Sequence, residues 1–143
     1  MIAYFDTSAL VKLYVEEDGT DVVRAVAHGA AMVATSRVTR VEFHSAISRK
    51  IRLGEVDDAA PAVEDFERDW PAFIRVRVLD RVLESARRLS TARGLRAYDA
   101  IQLASALDLG APGGSPIRFV CFDRALALAA VAEGLAALPV PAL

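Results

Sequence analysis

The chain opens with an unbroken apolar run, Met1-Ile2-Ala3-Tyr4-Phe5, which Asp6 stops. A run this short reads as a fully buried strand rather than a membrane span. Over residues 8–17 the apolar positions Ala9, Leu10, Leu13 and Tyr14 recur at helical spacing. A second helix is expected from Thr20 or Asp21 to near Gly29, with Val22, Val23, Val26 and Ala27 inward, and then a short strand over 30–35. Ser36 is placed to cap a third helix that runs to about Leu53, where Gly54 stops it. Val38, Val41, Ala46 and Ile47 form much of its apolar side. A fourth helix covers 56–70, opened by Asp57 and Asp58, with Pro61 in its first turn and Pro71 closing it. Strict alternation over 73–79 predicts a half-exposed strand at a sheet edge. Asp80 caps a fifth helix over 81–93, with Val82, Leu83, Ala86 and Leu89 inward. Residues 95–107 are apolar nearly all round, as in a central buried helix. A mobile surface loop is expected over 110–116, a buried strand over 117–122 ending in Asp123, a helix over 124–134, and a last strand over 135–140.

This order, β-α-α-β-α-α-β-α-α-β-α-β, predicts an α/β fold: one domain over 1–143 whose central, mostly parallel sheet is flanked by helices on both faces. The length suffices for a proper core. The composition, 54% hydrophobic and 25% charged, is ordinary for a soluble globular protein. Cys121 is the lone cysteine, so no intramolecular disulfide can form. With no targeting segment or membrane span, a reducing cytoplasm is the expected home. Net charge is −2, so the chain is not a polycation, although basic residues can still cluster locally. Only Lys12 and Lys50 are lysines among seventeen basic residues, and arginine is the better bidentate phosphate ligand.

Candidate chemistry comes from four acids. Asp6 and Asp123 end strands where helices begin, and Glu42 and Asp99 sit in the third and sixth helices. Each has a plain structural explanation. Asp6 can cap the next helix, Glu42 can join an ion network with Arg49 on a solvated face, and Asp99 suits the positive end of a helix dipole. Together, four carboxylates on buried elements require neutralisation, and a hard divalent cation such as Mg²⁺ or Mn²⁺ supplies it through oxygen ligands. No Cys/His cluster suits zinc; His28 and His44 are isolated, and Cys121 reads as a buried strand residue. Carboxylate-held magnesium fits phosphoryl chemistry.

Four segments carry a family resemblance: Phe5-Asp6-Thr7-Ser8-Ala9-Leu10, Thr39-Arg40-Val41-Glu42-Phe43, the stretch from Leu95-Arg96-Ala97-Tyr98-Asp99 to Ala104, and Phe119-Val120-Cys121-Phe122-Asp123-Arg124-Ala125-Leu126. In this order they resemble PIN-domain ribonucleases, specifically the VapC-type toxins of type II toxin–antitoxin pairs. The resemblance implies an acidic metal cluster of Asp6, Glu42, Asp99 and Asp123 holding Mg²⁺ or Mn²⁺, with Ser8 supporting it by hydrogen bonding. It also implies endonucleolytic cleavage of RNA, commonly tRNA or rRNA, with inhibition of translation. A homodimer and a cognate VapB-type antitoxin that occupies the acidic groove are further implications. Two positions depart from the family's usual residues: Cys121 stands where Thr is common, and Gln102 where His is common and little chemical consequence is expected. Arg37, Arg40, Arg49, Arg52 and Arg96 are candidates for RNA backbone contact. Two other classes compete. A haloacid-dehalogenase-type phosphatase would need a second Asp where Ser8 stands, and a lysine beyond Lys50. A non-catalytic RNA- or protein-interaction module would use the acids only as caps and ion-pair partners.

Overall fold

The computed structural model describes residues 1–110 and 112–139. Five strands form one sheet: β1 (Ile2–Phe5), β2 (Met32–Ser36), β3 (Ile74–Val76), β4 (Ile117–Val120) and β5 (Ala136–Leu138). Their order is β3-β2-β1-β4-β5, and every neighbouring pair is parallel. The strands succeed one another outward from β1 to β3, and the chain then returns to the other side of β1 for β4 and β5. The order therefore reverses between β1 and β4, and outside the carboxyl ends of such strands an open parallel sheet has a crevice.

Because successive side chains of a strand alternate faces, β1 feeds two cores. Ala3 and Phe5 pack with α1 (Thr7–Val11), α2 (Thr20–Gly29), α3 (Thr39–Arg52) and α4 (Ala60–Asp69) through Leu10, Val23, Phe43, Ile47 and Phe66. The rings of Phe43 and Phe66 stack there, centroids 3.8 Å apart. Tyr4 goes to the other face, among Val82 and Leu89 of α5 (Asp80–Arg93), Leu103 of α6 (Ala97–Leu109) and Leu126 of α7 (Arg124–Ala132). Among the described residues no helix is long and apolar enough to cross a membrane.

Several details differ from the pattern-based expectations. The first helix stops at Val11 rather than 17, because Lys12, Glu17 and Thr20 take part in a hydrogen-bonded turn instead. The fourth begins at Ala60, later than 56, since Asp58 spends its carboxylate on the Ala60 N–H. Val38, not Ser36, is the N-cap of α3; Ser36 ends β2 and accepts weakly from the Val38 N–H at 3.3 Å. Leu79 occupies the corresponding position before α5, so Asp80 is in its first turn and not its cap. The strand expected over 73–79 pairs only through Ile74–Val76, at the sheet edge. Val22, Val41 and Leu83 face outward, not inward. The strand expected to reach residue 140 is paired over Ala136–Leu138, and Val140 lies outside the described residues, as does Ala111 in the loop after α6.

Candidate active site

Asp6 follows β1 directly and caps α1, its Oδ1 accepting the Ala9 N–H at 2.8 Å. The Ser8 hydroxyl donates across both carboxylate oxygens at 3.0 Å. The side chain is almost wholly enclosed, at 5% exposure. Asp123, three residues beyond β4, caps α7 in the same way through the Leu126 N–H at 2.8 Å. The capping reading of Asp6 is thus correct, Asp123 proves to be a cap as well, and each cap uses only one carboxylate oxygen.

Glu42, in the first turn of α3, makes no ion pair with Arg49. Instead its Oε1 accepts from the Thr7 hydroxyl at 3.0 Å and from the Gln102 amide at 2.8 Å. The Gln102 Nε2 also reaches the Thr7 and Thr39 hydroxyls, and its Oε1 accepts from the Tyr4 hydroxyl at 2.7 Å. Thr39 meets Thr35, which donates to the Phe5 carbonyl. A buried polar chain thus ties the end of β1, the end of β2, α3 and α6 beneath the carboxylates. Gln102 is its centre. Its only sequence signal is a polar residue inside an otherwise apolar helix.

Asp6, Glu42, Asp99 and Asp123 all line one groove of about 1050 Å³ at the carboxyl edge of the sheet. Their electrostatics show mutual proximity. Burial pushes Asp6 up to about 7, against the Ala9 and Ser8 donors, and the charges of Asp99 and Glu42 add to it. Burial also raises Glu42, opposed by Gln102 and Thr7 and reinforced by Asp99. Asp99 is raised by burial and by Asp123, while Arg96 pulls it partly back without forming an ion pair. Among the described residues no ion pair joins any of these four to a Lys or Arg.

An all-oxygen, carboxylate-rich donor set short of positive charge fits a hard divalent cation. Among the described residues no three His, Cys, Asp or Glu side chains converge closely enough to enclose an ion. Cys121 is buried, its thiol raised by burial and then by Asp6 and Asp123, and it lies 3.7 Å from the Asp123 carbonyl oxygen. It is no thiolate nucleophile.

The five candidate arginines separate. Arg49 and Arg96 line the groove. Arg40 does not; it grips Glu67 with Nε and Nη2, and His44 binds the same carboxylate. Arg52 bonds Ser48 away from the groove lining, and Arg37 is also outside it. Both lysines do line the groove and share Glu17, at 3.1 Å from Lys12 and 2.7 Å from Lys50.

Carboxylates gathered at the switch point of a five-stranded parallel sheet are the setting in which sequence comparison places the class of protein. The PIN domain family's profile matches residues 3–132, and the chain belongs to that family. Within it, the chain is 34% identical over 140 residues to Ribonuclease VapC45 and to Ribonuclease VapC49 of two Mycobacterium tuberculosis strains, covering 96% of this chain and 95% of each relative. Solved structures share the fold. PAE2754 from Pyrobaculum aerophilum superposes with a TM-score of 0.68 at 24% identity, over 96% of this chain and 84% of that one. A toxin–antitoxin complex from Klebsiella pneumoniae gives 0.61 at 17% identity, over 99% and 96% of the two chains.

Proposed function

We propose that this PIN-domain chain is the toxin of a toxin–antitoxin pair, an endoribonuclease that hydrolyses RNA phosphodiester bonds with Mg²⁺ or Mn²⁺. Structured RNA such as tRNA or rRNA is the expected target and arrested translation the outcome. The chain works as a homodimer in this reading, and a cognate antitoxin neutralises it. The observation that carries the proposal is the shared groove of four carboxylates that, among the described residues, pair with no Lys or Arg. The near full-length similarity to VapC ribonucleases supports RNA as the substrate.

Asp6, Glu42, Asp99 and Asp123 would hold the ion, directly or through water. Bound there, it supplies Lewis acidity toward the phosphodiester and makes water a better nucleophile. The chain's own residues do the rest. The Ala9 N–H and Ser8 hold Asp6 at a fixed angle, and Thr7 and Gln102 do the same for Glu42. Donors aimed at these oxygens favour the ionised form that burial opposes. Arg49 and Arg96 offer guanidinium groups to the phosphates of a strand lying in the groove. In this reading the nucleophile is water rather than a side chain.

The test is cleavage of total tRNA and rRNA by the purified chain, freed of any antitoxin. Internal fragments with Mg²⁺ or Mn²⁺, and none with EDTA, are expected. RNA that binds but stays intact under every metal overturns the nuclease and favours an interaction module.

A further inference from the structure

The described residues leave eight large apolar side chains exposed, and the three most exposed are Val41 at 74%, Tyr98 at 62% and Leu53 at 61%. All three line the acidic groove. Val41 and Tyr98 immediately precede Glu42 and Asp99, so each acid on a helix is accompanied by an uncovered apolar neighbour. The core does not need Tyr98. It takes no part in either buried cluster, and among the described residues it has no hydrogen bond and no ring contact. Its side chain is largely exposed and lines the same groove as Arg96.

We infer that Tyr98 is the stacking platform of the groove: its ring receives an unpaired nucleobase of the strand whose phosphates Arg49 and Arg96 hold. The inference rests on the ribonuclease reading and adds a binding residue to it. Two features favour a nucleobase as the occupant. Guanidinium groups beside the ring complement a polyanion, and an aromatic face suits any base regardless of sequence. The position next to Asp99 sets the stacked base close to the acidic centre. Tyr98 thereby fixes where along the strand the centre falls.

The test uses ten-nucleotide single-stranded RNAs, each carrying one 2-aminopurine, with Ca²⁺ replacing Mg²⁺ to hold back hydrolysis. Wild-type protein, Tyr98→Phe and Tyr98→Leu are titrated; all three should melt alike, since the side chain is exposed. Tyr98→Phe is expected to match wild type within about twofold. Tyr98→Leu keeps apolar bulk but no π face, and should lose roughly 5- to 100-fold in affinity. Its salt slope should stay unchanged, because stacking releases no counterions. Quenching of 2-aminopurine at one position should vanish with it. Wild type that binds RNA while Tyr98→Leu binds equally well, with the same quenching, overturns the inference alone and leaves the apolar rim to a protein partner. Wild type that neither binds nor cuts RNA overturns the ribonuclease reading and this inference with it.

Discussion

The carboxylates on the outer helices and those at the carboxyl edge of the sheet are treated in opposite ways. Outside, several acids are matched to arginines. Glu133 is held by Arg88 and Arg93, Glu67 by Arg40 and His44, and Glu84 by Arg87, and each is shifted below the ordinary glutamate range by those donors. At the sheet edge, Asp6, Glu42 and Asp99 are shifted up. The chain does not lack cations, with seventeen Lys and Arg residues, and Arg49 and Arg96 even line the groove. Its lysines there are spent on Glu17. Neutralisation is withheld locally where hydroxyl, amide and backbone N–H donors suffice to orient the acids. Under the proposed function such a place receives charge that arrives from outside, and it costs the fold stability.

The largest expected effect breaks the edge group. Asp6→Asn and Asp99→Asn should each lower metal-dependent RNA cleavage by about a thousandfold or more, with far-ultraviolet circular dichroism unchanged. Retained activity in both removes the contrast. A smaller loss follows from the buried support. Gln102→Leu takes away a donor to Glu42, Thr7 and Thr39 and leaves the Tyr4 hydroxyl without its acceptor. Roughly 10- to 100-fold weaker cleavage is expected, the usual range for outer supports of a metal site, with a stability cost of about 1–3 kcal/mol in a denaturant titration.

The pH dependence sharpens the comparison. A carboxyl group raised to about 7 binds its proton more tightly in the folded protein than in the unfolded chain. Its contribution to stability is therefore present at low pH and declines as pH rises from about 4 towards 7. Without metal, wild type should lose thermal stability across that window relative to Asp6→Asn, with a difference on the order of 5 °C by pH 8. Calorimetric scans at pH 5 and pH 8 check it. The smallest effect belongs to the outer acids. Glu84→Gln should change stability by no more than about 1 kcal/mol and leave cleavage untouched, because exposed ion pairs such as Glu84 with Arg87 contribute little.

Much of this was legible in the chain itself. Asp6 and Asp123 were visible as acids that end apolar runs before helices, since a buried parallel strand is nearly continuous in apolar residues. Sheet type followed from alternation of elements. Val41 was misassigned because periodicity cannot distinguish an apolar residue that enters the core from one that lines a groove, and the same ambiguity hid Tyr98. The network around Gln102 is not legible because its partners Thr7 and Glu42 lie 95 and 60 residues away in sequence. Long-range polar networks leave no local pattern. The pairing of Arg40 with Glu67, 27 residues on, is equally invisible.

Direct metal titration bears most closely on the withheld neutralisation. Mn²⁺ added to the antitoxin-free protein in a calorimeter should bind wild type with protons released near pH 7, and Asp6→Asn should bind at least tenfold more weakly. Equal binding by the two proteins, or none by wild type, would contradict the account.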